Sequence, residues 1–93
     1  MKQIIINGMV KVDDIYHNDV LELFHHRCIK CPRPTEIVHE IVPRSRRPKT
    51  WMSPENRVSL CSECHSWAHE RGARASAEEL TFLREKRLLE YYG

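Results

Sequence analysis

The residues of this 93-residue chain that could do chemistry are histidines and cysteines gathered into one stretch. His39-Glu40-Ile41-Val42-Pro43-Arg44-Ser45-Arg46 opens it, Asn56-Arg57-Val58-Ser59-Leu60 follows, and Cys61-Ser62-Glu63-Cys64-His65-Ser66-Trp67-Ala68-His69 closes it. His65 and His69 are four apart, so on a helix their rings lie one above the other on a single face. Two imidazoles so placed can reach one metal ion, with His39 from a neighbouring strand as a third ligand. Cys28/Cys31 and Cys61/Cys64 form two Cys-x-x-Cys pairs of equal spacing. A tetrahedral Zn²⁺ takes four such thiolates, so the pairs predict one structural zinc that ties residues 28–31 to 61–64. Free buried or reactive thiols do not account for two equal spacings.

A single small domain, residues 1–93, is expected, close to the size at which an apolar core alone is marginal and a staple is needed. No apolar run suits a signal peptide or a membrane span, since Ile4-Ile5-Ile6 is too short for either. The chain therefore reads as cytoplasmic, with no membrane partner, and in a reducing compartment paired cysteines bind metal more readily than they form disulfides. A net charge of +2 barely favours nucleic acid. Its distribution says more: Arg33, Arg44, Arg46, Arg47 and Lys49 cluster between Cys31 and Trp51, a run that either neutralises phosphates or is a solvated loop.

The elements that must position these residues follow from local pattern. Residues 1–12 alternate weakly around Gly8 and suggest a short strand or hairpin. A helix from Ile15 or Asn18 to His26, capped by Asp14 or Asn18, gathers Val20, Leu21, Leu23 and Phe24 into an apolar stripe. His17, His25 and His26, on or beside that helix, are read as solvent-facing or packed side chains and not as ligands. Cys28-Ile29-Lys30-Cys31 is a knuckle ended by Pro32 and Pro34. Residues 36–42 are rich in β-branched side chains and favour a strand that Pro43 ends. Residues 44–55 form a loop, and residues 56–60 a second strand with Val58 and Leu60 inward. A helix should run from about Glu63 to Arg71 and stop at Gly72 in a left-handed cap. Ser76-Ala77-Glu78-Glu79 has the form of a capping box for a last helix to about Tyr92, with Leu80, Leu83, Arg87/Leu88 and Tyr91 along one face. The fold class is α+β.

The ordered set Cys-x-x-Cys, His-Glu-Ile-Val-Pro-Arg-Ser, Asn, Leu-Cys-x-x-Cys-His-x-x-x-His closely resembles an HNH endonuclease of the zinc-ribbon type, over Cys28 to about His69. The resemblance implies a ββα-metal core at about residues 36–71, stapled by a four-cysteine zinc ribbon (residues 28–64) and flanked by N- and C-terminal helices. It implies metal-dependent hydrolysis of phosphodiester bonds in double-stranded DNA, with His39, His65 and His69 holding the catalytic cation and Asn56 bridging the loop to orient the general base. Small stand-alone members of that family occur in phages, some beside DNA packaging machinery. One position departs: the family usually has histidine where this chain has Glu40.

A carboxylate at position 40 can still take a proton from the attacking water, though it is ordinarily a weaker base than imidazole. The rival assignment makes His39 the base and Glu40 a ligand or its neighbour. Imidazole ligands favour Mn²⁺ and similar transition metals over Mg²⁺. One site per chain predicts nicking of one strand per encounter, by a monomer or a weak dimer. Each residue also has a plainer reading. His65 and His69 could replace a cysteine as zinc ligands, Asn56 could serve the turn after Ser53-Pro54-Glu55, Trp51 and Trp67 could anchor loop or core, and Glu36 and Glu63 could be exposed. The competing function is a non-catalytic zinc-ribbon module that binds nucleic acid or protein.

Overall fold

The computed structural model describes residues 15–93, and the strand or hairpin expected over residues 1–12 lies outside them. In chain order the elements are α1 (His17–Leu23), β1 (Val38–Glu40), a 3-10 turn (Pro54–Asn56), β2 (Arg57–Ser59), α2 (Ser62–Arg71) and α3 (Ala73–Tyr92). Among the described residues, three helices around one antiparallel strand pair make the expected α+β fold.

α1 is shorter than its apolar stripe predicts, and both ends differ. Tyr16 occupies the cap position, its amide donating to the Asp19 carboxylate at 3.4 Å, so Asn18 falls inside the helix. At the other end the His26 amide reaches back to the Leu21 carbonyl (2.7 Å) and the His25 amide to that of Glu22 (3.1 Å). That pair of bonds is a Schellman closure, which normally has glycine in the left-handed position. Here His25 (φ 58°) and His26 (φ 56°) adopt it in succession. The far end of α3 covers this corner: Tyr91 stacks on His25 at 4.2 Å between ring centroids, and the Tyr92 hydroxyl donates to the Leu23 carbonyl at 2.5 Å.

The knuckle closes through the Cys28 amide on Arg33 O (2.9 Å) and the Arg33 amide on Cys31 O (2.7 Å). β1 and β2 pair antiparallel in the register Val38↔Ser59, His39↔Val58, Glu40↔Arg57. Both strands are shorter than expected, although hydrogen bonding continues one residue beyond each end through Leu60 N to Ile37 O (3.1 Å) and Ile41 N to Asn56 O (2.8 Å). Pro54–Asn56 instead form the 3-10 turn that delivers the chain into β2.

Between α2 and α3 the structure corrects two expectations. Gly72 has the positive φ (90°) that favours glycine, but ψ 154° takes it out of the left-handed helical cap. It turns the corner alone, and α3 begins at the next residue. Ala73-Arg74-Ala75 are strong helix formers, so nothing delays the start to Ser76. Ser76 is fully buried within the helix, and its hydroxyl bonds back to the carbonyls of Gly72 (2.9 Å) and Ala73 (3.3 Å) instead of capping.

The core joins Val20 and Leu23 of α1 and Phe24 at its C-cap to Ile29, Ile41, Val58, Leu60, Ala68 and Leu80, with Cys28, Cys61 and Cys64 in the same cluster. Leu83, Leu88 and Tyr91 continue the inner face of α3, and Arg87 reaches over the knuckle to the Ile29 carbonyl at 2.8 Å. Among the described residues, no helix is long and apolar enough to cross a membrane.

Candidate metal centres

The sheet register and the pitch of α2 bring the two groups of candidate ligands together in neighbouring places. The sulfurs of Cys28, Cys31, Cys61 and Cys64 all lie within 4.8 Å of one another, and none is in a disulfide. Cys31 and Cys61 Sγ are 3.2 Å apart and Cys31 and Cys64 Sγ 3.6 Å. Tetrahedral zinc with bonds of ~2.3 Å sets sulfurs ~3.8 Å apart. The four cysteines therefore suit a metal such as zinc. Burial pushes the Cys31 and Cys64 thiols up. Cys61 is also raised by burial, but hydrogen bonds from the Cys64 amide and the other thiols outweigh this and hold it at about 7. Were all four deprotonated, thiolates crowded this closely would need a cation to share their charge.

The second group is His39, His65 and His69, whose ring nitrogens also gather within 4.8 Å. β1 presents His39 towards α2, and the helical turn stacks His65 and His69 with Nε2 atoms 3.1 Å apart. Centroids lie 5.3 Å (His39–His65), 5.7 Å (His39–His69) and 4.5 Å (His65–His69) apart, with each pair of rings nearly perpendicular. His39 is 8 % exposed, and its Nε2 has no hydrogen-bond partner among the described residues. A buried nitrogen without a partner is costly unless something binds it. Burial first, then His65 and His69, hold His39 down to about 4; burial and His69 also lower His65, against an opposing pull from Glu40. Neutral imidazoles keep the lone pairs that a metal requires. The three rings could hold a metal ion by donor chemistry, proximity and the orphaned nitrogen.

These rings line a cavity of about 230 Å³ together with Glu40, Val38, Pro43, Ala68 and Ala73. Glu40 thus shares the cavity with the histidines, but its carboxylate is also engaged across the strand pair, 3.7 Å from Nη2 of Arg57. Arg57 is buried, donates from Nη1 to the Ile15 carbonyl at 2.8 Å, and lies over Trp51 at 5.5 Å. Desolvation lowers the pKa of its guanidinium, opposed by Glu40 and reinforced by Arg44. Sequence reasoning passed over Arg57. The signal that finds it is the register, which sets positions 40 and 57 opposite each other.

Asn56 is 1 % exposed and makes three hydrogen bonds to the loop. It accepts from Val42 N (2.8 Å) and donates to Val42 O (2.9 Å) and Trp51 O (3.0 Å). It clamps the two ends of that loop and bonds neither Glu40 nor the histidines. Within the loop Arg44 stacks on Trp51 at 3.8 Å, and Arg47 bonds Thr50 and Glu55 at 2.9 and 3.2 Å. Arg46 is exposed, with no acidic partner among the described residues. Arg33 pairs with Glu63 at 2.8 Å. Trp67 packs at the core edge beneath Lys30, while Glu36 and Glu63 are exposed. His17 bonds the Glu36 carbonyl at 2.9 Å, and among the described residues neither it nor His25 or His26 joins a ligand cluster. Comparisons of the chain with protein-family models, with curated proteins and with solved structures find no match.

Proposed function

We propose that this chain is a metal-dependent DNA endonuclease of the HNH type. The observation that carries the reading is the convergence of three imidazoles on one open cavity with a carboxylate in its wall. A divalent cation bound there supplies positive charge for a non-bridging phosphate oxygen and for the leaving oxygen of the scissile bond. Glu40 takes the proton from the attacking water, and Arg57 holds the Glu40 carboxylate in place across the strand pair. His39, His65 and His69 stay neutral and oriented. Asn56 fixes the loop whose Arg44, Arg46 and Arg47 meet the phosphate backbone of double-stranded DNA. A three-imidazole site favours Mn²⁺ or a similar ion over Mg²⁺, while the four cysteines hold a structural zinc.

A second reading, a zinc-ribbon binding module without catalysis, draws on the Glu40–Arg57 contact, because a carboxylate paired with a buried cation is a hindered proton acceptor. Supercoiled plasmid incubated with the zinc-loaded protein in EDTA, Mg²⁺ or Mn²⁺ separates the two. The nuclease gives open circles first, fastest in Mn²⁺, and loses them in Glu40→Gln while keeping two metal ions per chain. Folded protein that binds one zinc, takes up no second ion and leaves the plasmid intact would establish the binding module.

A further inference from the structure

α3 has two faces, and only one meets the core. Leu80, Leu83, Leu88 and Tyr91 turn inward, whereas Phe82 is 65 % and Leu89 70 % exposed. At 100° per residue, Ala75, Glu78, Phe82, Lys86 and Leu89 fall in one narrow stripe along the solvent side, and all five are exposed. Among the described residues, these two large apolar side chains a heptad apart, in a stripe shared with Glu78 and Lys86, form an unpartnered seam.

We infer that this seam docks a second copy of the chain, antiparallel, about a two-fold axis at Phe82. The numbering shows why the face is self-complementary. Such an axis sets each residue against the one equally far on the other side of Phe82 in its partner. Phe82 meets Phe82, and Leu89 meets the small Ala75. Glu78 meets Lys86, so two opposite-charge pairs form, one on each side of the axis. Arg74 and Glu90 flank the seam with the same symmetry. Glu79 and Glu85 are the like-charged pair this arrangement approximates, and each is already paired within its own chain, with Lys30 and Arg84. A parallel arrangement would instead place Glu78 on Glu78 and Lys86 on Lys86. Charge therefore selects the isologous antiparallel dimer. One helix per partner makes a small interface, so the association is weak and concentration-dependent.

Sedimentation equilibrium of the full zinc-loaded chain tests this independently of any nuclease activity. The wild type should show a monomer–dimer equilibrium. Glu78→Lys and Lys86→Glu should each weaken it about tenfold, because two attractive pairs become repulsive. The double variant Glu78→Lys/Lys86→Glu should recover it, and an equimolar mixture of the single variants should form a heterodimer. Phe82→Glu should leave only monomer, with circular dichroism and zinc content unchanged. A wild type that stays monomeric at the highest readable concentration overturns the inference, as do single variants that dimerise normally or a double variant no better than either single.

Discussion

Replacing Asn56 by alanine removes the clamp on the loop and should cost the protein about 3 kcal/mol. The side chain is 1 % exposed and makes three bonds, to Val42 N, Val42 O and Trp51 O. Each net hydrogen bond contributes about 0.5–1.5 kcal/mol, and a buried partner left unpaired costs more. Val42 and Trp51 are only half-buried, so water can reach part of what Asn56 leaves, and the lower scale applies. Against a whole stability of about 5–15 kcal/mol this is a large fraction. For a domain of this size it lowers the melting temperature by about 12–24 °C. Asn56→Asp should be no milder: it keeps the acceptor for the Val42 amide but turns a carboxylate oxygen towards two carbonyls. The loss is also local. Arg44, Arg46 and Arg47 lie within the clamped loop, so trypsin should cut there faster in Asn56→Ala than in a core variant of equal melting temperature. Melting within a few degrees of wild type, with unchanged tryptic cleavage, would show that Asn56 is an ordinary turn residue.

Three further outcomes follow from the same geometry. Cys61→Ser should give molten or insoluble protein, because zinc binding to a four-cysteine site is worth on the order of 10 kcal/mol, comparable to the whole fold; circular dichroism with zinc quantification reads this. On the proposed function, removing Arg44, Arg46 and Arg47 together should weaken DNA binding and flatten its salt dependence by at most about 2.7 in log–log slope. Arg47 contributes least of the three, since it is already paired with Glu55. His39 has a folded pKa of about 4, below the ordinary histidine value, so its contribution to stability is complete above about pH 6.5 and is lost as pH falls towards 4. Urea melts of wild type and His39→Phe should therefore diverge in pH dependence across that window and run parallel above it.

What the sequence disclosed depended on how local the signal was. The equal Cys-x-x-Cys spacings and the His65/His69 pair are properties of short segments, and the structure gathers both sets. The α+β class and the inner face of α3 were legible for the same reason. The start of α3 was not. Ser76 and Glu79 have capping-box spacing, but Gly72 completes the corner before them, and tertiary burial of Ser76 prevails over its cap preference. The end of α1 misled because left-handed backbone is expected of glycine, while here two histidines adopt it, the first of them, His25, packed against Tyr91 and Tyr92. Arg57 needed the strand register, a long-range fact that no window of sequence contains.

The two candidate metal centres meet on α2. Cys61 is its cap residue, Cys64 lies in its first turn, and His65 is the next residue along. Order imposed on that first turn by a metal at the cysteines is order that a metal at the histidines no longer has to impose. The two occupancies are then thermodynamically linked, and the linkage is reciprocal: whatever factor one ion adds to the affinity of the other, it receives in return. Loss of the proposed nuclease activity in EDTA would thus report the removal of either ion. A chelator gentle enough to leave the cysteine site filled is needed to learn which one the proposed reaction uses.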